Sequence, residues 1–303
     1  MSLLDIPDLP MIKILENCDF MSLLCLRKTC HNLREFIDCL APETDIVHIS
    51  VAVYIEFVEM RLILDPKTPL LDLNITYNKC SQGCKLEIFE YRSRKDHSHY
   101  NRWKKATKYI ADADFMDVFC TDLSAILRMQ GSKMNDLNFC VSNMRKTEPK
   151  KGFFKLLSYL GCFFESSSEP EFIDDEPEKI KDRISNQIYD MIKISLQSRL
   201  RPLRIGRLGF DVTSKRQFLQ VLQYTDPTVL DNLFVTCYPK KIDLEIDDLK
   251  KMSHWKNIKD LCIWGFVLKG GSIEDFGHLK TGSIHFEVVT VNDVLFLKEV
   301  SGS

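Results

Sequence analysis

No stretch of this 303-residue sequence is long and apolar enough to span a bilayer. The most apolar run, Gly152 to Phe164, carries Lys155 and stops short of the roughly twenty residues a spanning helix needs. A charge imbalance is also missing: the formal net charge is −2, so no global field draws the chain to nucleic acid or an anionic membrane. Met1 to Asp8 has neither a basic start nor an unbroken apolar core, which excludes a secretory signal there. Without that signal, the 11 cysteines read as reduced thiols of a cytoplasmic or nuclear protein, most of them small core residues such as Cys25, Cys120 and Cys262. Catalytic motifs are missing as well. There is no glycine-rich phosphate loop, no Gly-x-Ser-x-Gly elbow and no His-Glu-x-x-His. Gly206-Arg207-Leu208-Gly209 and Gly270-Gly271-Ser272 read as turns. No catalytic residue, metal or cofactor is assigned.

What is present begins with a dense apolar stripe. After Leu9-Pro10, a proline suited to a first helical turn, Met11, Ile14, Leu15 and Cys18 fall at helical spacing. Leu23, Leu24, Leu26 and Arg27, then Cys30, Leu33, Phe36 and Ile37, continue the period. The spacing predicts three short helices in fewer than forty residues, too little chain to bury a core alone. Such a module needs a partner surface, which points to binding and away from catalysis.

Beyond it, alternation at Val47, Ile49, Val51 and Val53 predicts a strand, with others at Leu71 to Ile75, Leu86 to Ile88 and Leu137 to Phe139. Trp103 to Tyr109 and Asp114 to Met129 are expected to be helical. Glu165 to Glu178 holds three serines, two prolines and seven carboxylates, and reads as an acidic linker or loop. Ile180, Ile184, Ile188, Ile192 and Leu196 then predict a helix of about five turns. In the last third, short strands at Leu208, Leu233, Leu261 and Ile284 recur 25, 28 and 23 residues apart with helical segments between. That is the loose period of a leucine-rich-type solenoid. The fold class expected is α+β, a three-helix module followed by an irregular leucine-rich-repeat-like strand/helix solenoid. The divisions are residues 1–42, a connecting region 43–164 packed on the solenoid, the acidic segment 165–179, and 180–303.

Two constellations invite other readings. Cys80 and Cys84 followed by His97 and His99 approximate a zinc spacing, but the single residue between the histidines is too few for a finger helix, so a plain loop is the better reading. Tyr91 to Tyr109 interleaves seven Lys or Arg with four aromatics, the composition of a single-strand nucleic-acid platform. On a near-neutral chain a solvated face accounts for it as well.

The N-terminal stripe resembles an F-box, specifically that of the large nematode F-box families. Leu9-Pro10, Ile14-Leu15, Phe20, Ser22-Leu23-Leu24, Leu26-Arg27-Lys28, Cys30, Leu33 and Phe36-Ile37 match in order. Met11-Ile12 stand where an acidic residue is common, and Thr29 replaces a valine. The last third resembles the FTH domain that follows the F-box in those families, at Gln217 to Leu222, Asp226 to Leu230 and Met252 to Leu261, with His254 for Gln and Ile258 for Ala. Leu73 to Tyr77 and Gly83 to Leu86 are similar too. The resemblance implies a substrate-receptor subunit of a cullin-RING ubiquitin ligase. It would dock a Skp-family adaptor, and through it a cullin, by Leu9, Pro10, Ile14, Leu15, Leu24, Leu26 and Cys30, some of which must instead hold the helices together. The FTH region would hold an unidentified target protein, with Trp255 and Trp264 as aromatic candidates. A ligase-independent scaffold or decoy is the alternative, and a zinc or nucleic-acid module the third reading. Relatives often continue beyond the helix-like Asn292 to Val300, which leaves open whether a final unit follows.

Overall fold

The computed structural model describes residues 6–40, 42–65, 72–93, 100–141, 176–237 and 241–301. Three helices open the chain: α1 (Asp8–Glu16), α2 (Phe20–Arg27) and α3 (His31–Leu40). An antiparallel meander follows, β1 (Ile46–Val53), β2 (Phe57–Leu64), β3 (Asp72–Cys80), β4 (Gly83–Ser93) and β5 (Tyr100–Ala111). Then come α4 (Phe115–Met129), β6 (Met134–Val141), α5 (Glu176–Gln197), β7 (Ile205–Val212), α6 (Lys215–Leu222) and β8 (Asn232–Cys237). The chain goes on through β9 (Ile242–Glu245), α7 (Ile246–Lys250), β10 (Asp260–Lys269), β11 (Thr281–Phe286) and α8 (Val291–Ser301).

The eleven strands among the described residues form one sheet, ordered β11-β10-β8-β7-β6-β1-β2-β3-β4-β5, with β9 beside β10. β1 is the seam: it pairs antiparallel with β2 and parallel with β6. From β6 to β11 the strands are parallel and added in chain order at one edge. The helices between these strands, α5, α6 and α7, bury Ile188, Ile192, Phe218 and Leu249 in the same core as the strands. Burial follows. Ile49, Val51, Leu137, Phe139, Leu208, Phe210, Leu233, Val235, Leu261 and Ile263 are buried under the helices, while His48, Ser50, Asp136, Asn138, Arg207, Asn232, Phe234, Cys262 and Trp264, which alternate with them, are half-buried or exposed. Met134 and Ile205 at the strand starts, Gly209, and Phe266 and Leu268 past the irregularity of β10 are buried. Parallel sheets are normally covered on both faces. Among the described residues this one is covered on one.

The helices are fastened at their ends. Asp114 caps α4 through Met116 N–H at 2.8 Å, and Ser214 caps α6 through Gln217 N–H at 3.4 Å. Arg199, just past α5, donates to the carbonyls of Leu127, Arg128 and Gln130, the unpaired C-terminal carbonyls of α4. Burial lowers its pKa to about 10. Phe119 of α4 meets the Tyr77 ring edge-on at 5.5 Å, which seats that helix on the meander.

Several expectations change here. Trp103 to Tyr109 is the second half of β5, not a helix: it pairs with β4 from Glu90↔Trp103 to Lys85↔Tyr109. Seven residues are too few for periodicity to separate the two, and an extended partner strand decides the outcome. β2, unassigned by patterning, alternates cleanly through Val58, Met60, Leu62 and Leu64, all buried. Glu176 to Lys179, assigned to the acidic linker, open α5. The linker's earlier residues, and the apolar run to Phe164, lie outside the described residues. The described strands from Ile46 to Val141 join the C-terminal strands edge to edge through β6 and β7. The structure is thus α+β with a large mixed sheet.

Candidate functional site

The N-terminal helices have an inside and an outside. Met11, Leu15, Phe20, Leu23, Leu33 and Ile37 are buried and continuous with the core beneath the sheet. The partner surface that this short module needs is therefore partly supplied by its own chain. Phe20 N–H also donates to Asp45 Oδ1 at 3.2 Å, tying α2 to the strand that follows. Arg27 on α2 makes a two-pronged ion pair with Asp38 on α3, 2.5 and 2.7 Å, with both side chains mostly buried.

Outside lie Leu9, 76% exposed, Pro10 beside it, Ile14 at 39% and Met21 at 38%. Leu24, Leu26 and Cys30 are half-buried and lean on the core. Leu15 is 0% exposed and therefore packs the module instead of facing a partner: on α1 it sits with Met11, at i and i+4, on the inner side. So of the seven residues the sequence proposes for the face, Leu9, Pro10 and Ile14 are openly available, three are partly so and Leu15 is not. Met21 is an addition. Its signal was in the sequence, since Met21, Leu24 and Cys25 form an i, i+3, i+4 stripe beside the inward Phe20 and Leu23.

A second surface is the open face of the parallel strands. In register across it lie His48, Asp136, Arg207, Asn232 and Asp260. His48 and Arg207 stand 3.5 and 3.4 Å from the Asp136 carboxylate. The Arg207 guanidinium also lies 6.0 Å from the Phe234 ring centre, a cation–π arrangement. Trp264, on β10, is 47% exposed. Trp255, by contrast, is 6% exposed in a single 3-10 turn (Trp255–Asn257), edge-on to Phe276 at 5.2 Å. Tryptophan and arginine are the side chains that most often anchor protein interfaces.

The remaining constellations gain little from the geometry. Cys80 and Cys84 flank the β3–β4 turn; Cys84 is buried, which raises its thiol pKa to about 11, far from a ready metal ligand. His97 and His99 lie outside the described residues. No three His, Cys, Asp or Glu side chains gather as a metal site among the described residues, and no helix there is long and apolar enough to cross a membrane.

Comparison with known proteins finds two domain families along the chain. Residues 3–42 match the F-box domain family and residues 186–301 match the FTH domain family. The chain is 23% identical over 302 residues to F-box A protein 224 of Caenorhabditis elegans, covering 99% of this chain and 63% of that one. It thus spans less than two thirds of the length of that curated relative. No solved structure matches.

Proposed function

Starting from a chain that carries an F-box domain and an FTH domain, the pairing of the nematode F-box family, we propose that it is a substrate-receptor subunit of a Skp–cullin–F-box ubiquitin ligase. The observation that carries this reading is the two-sided N-terminal module. Its inner residues are fused to the sheet's core, so it stays folded, while Leu9, Pro10, Ile14 and Met21 remain in solvent. Exposed apolar side chains clustered on short helices suit a partner helix surface. The Skp-family adaptor would take that face and bring a cullin with it. The open sheet face around Arg207, Phe234 and Trp264 would hold the target protein. The chain performs no chemistry in this scheme; it raises the concentration of a target lysine near the ubiquitin-carrying enzyme. Such a role is intracellular, in cytoplasm or nucleus.

Affinity purification with mass spectrometry, wild type beside Ile14→Asp, tests it. Adaptor and cullin peptides present in the first and lost in the second are the expected result. Equal recovery from both rejects docking through this face. Recovery of a target without any adaptor from wild type favours the scaffold or decoy instead.

A further inference from the structure

Among the described residues the parallel strands end at β11, which pairs with β10 on one side and offers an open edge on the other. The helix that follows, α8, is held by the 3-10 turn Ile273–Phe276, whose Phe276 is buried in the core. Asp293 of α8 accepts from the Ile273 N–H at 2.8 Å, and the Phe296 ring lies against Gly277 just past the turn. The opposite flank of α8 is in solvent. Val291, Val294 and Leu295, at i, i+3 and i+4, are each more than half exposed, as are Val288 and Val289 in the link from β11.

The two edges of the sheet are made differently. β5 carries Arg102, Lys104, Lys105 and Lys108, charges of the kind that keep an edge from pairing. β11 reads Thr281-Gly282-Ser283-Ile284-His285-Phe286, with no Lys, Arg, Asp, Glu or Pro. In a stack of strand-and-helix units, the last unit needs a polar outer face to stay in solution alone. Here that face is an unblunted strand edge beside a cluster of aliphatic side chains. Contiguous exposed apolar surface of this kind marks an interface.

We propose that two copies of this chain pair through β11 and α8 about a two-fold axis. An axis normal to the sheet sets β11 antiparallel to its own copy and brings the two α8 flanks together on the same side. Such an interface has to be complementary to itself. An edge of alternating N–H and C=O groups meets that condition, and so does an aliphatic stripe; a patch of one charge does not. Size agrees as well. The five aliphatic side chains offer roughly 300 Å² per copy, and a strand about 20 Å long offers roughly 200 Å² more along its edge. The pair buries on the order of 1,000 Å² in total, the lower bound for a specific interface. An interface of that size gives a reversible dimer, formed at micromolar concentrations. It uses none of the residues of the adaptor face, so each stands or falls alone.

Analytical ultracentrifugation of the full chain from about 1 to about 100 μM tests this, with hydrogen exchange at both ends of that range. Monomer is expected to give way to dimer as concentration rises, with the β11 amides more protected at the upper end. Val291→Lys with Leu295→Lys, on the exposed flank, should raise the dissociation constant at least roughly tenfold. Melting temperature at the low concentration and adaptor recovery should not change. Ser283→Lys, exposed on β11, should weaken the dimer in the same way by charging the edge, and is read alone if the helix variant fails to fold. Monomer at every concentration, a dimer that neither change weakens, growth beyond the dimer, or no added protection in β11 overturns the proposal.

Discussion

Arg27 and Asp38 join the second and third helices by two parallel hydrogen bonds, 2.5 and 2.7 Å, with 11% and 18% of their side chains exposed. An ion pair so shielded fixes the angle between α2 and α3, and with it the spacing of Met21 and Leu24 relative to α3. Removing one partner leaves the other charge without its counterpart. Arg27→Ala should cost about 2 kcal/mol of stability by urea melting. Arg27→Lys, which cannot make both bonds, should recover less than half. A loss near zero for Arg27→Ala would show the pair to be incidental.

Neighbours on α1 should separate stability from docking. Leu15→Ala removes a fully buried side chain and should cost roughly 2–5 kcal/mol. Ile14→Ala, at the surface, should cost under about 1 kcal/mol yet weaken adaptor recovery. If Ile14→Ala melts like Leu15→Ala, the inside and outside of the module have been misassigned.

Asp136 gives a pH dependence of known sign. Burial opposes its ionisation, but the hydrogen bond from His48 and the charges of His48 and Arg207 outweigh that and hold its pKa below the ordinary 3.8. A carboxyl with a lowered folded pKa contributes stability that is full above the unfolded value and lost as pH falls through the folded one. The stability gap between wild type and Asp136→Asn should therefore be present at about pH 5 and close as pH falls below about 4. A gap that persists or widens below about pH 4 contradicts the assignment.

The two tryptophans should part company. Trp255→Ala empties a packed site beside Phe276 and should cost roughly 3–5 kcal/mol. Trp264→Ala should leave stability within about 1 kcal/mol while reducing co-purification of the target. Retention of every interactor by Trp264→Ala moves the target surface elsewhere.

The sequence by itself determined the local things. A Leu-Pro start and a stripe of apolar residues specify three helices, because helical spacing acts over a turn or two; Ile184 to Leu196 specify α5 in the same way. The strands Leu208, Leu233, Leu261 and Ile284 announced themselves by short β-prone runs at a regular interval. Only the tertiary structure decided what faces what. Ile14 and Leu15 are equally apolar, and nothing local says that the second meets the core and the first meets water. Trp103 to Tyr109 is extended because β4 lies alongside it, a partner many residues away in register. The parallel face that carries Asp136, Arg207 and Trp264 exists because β1 pairs with both β2 and β6 and later strands add at one edge. Those are long-range pairings, which a local pattern cannot carry.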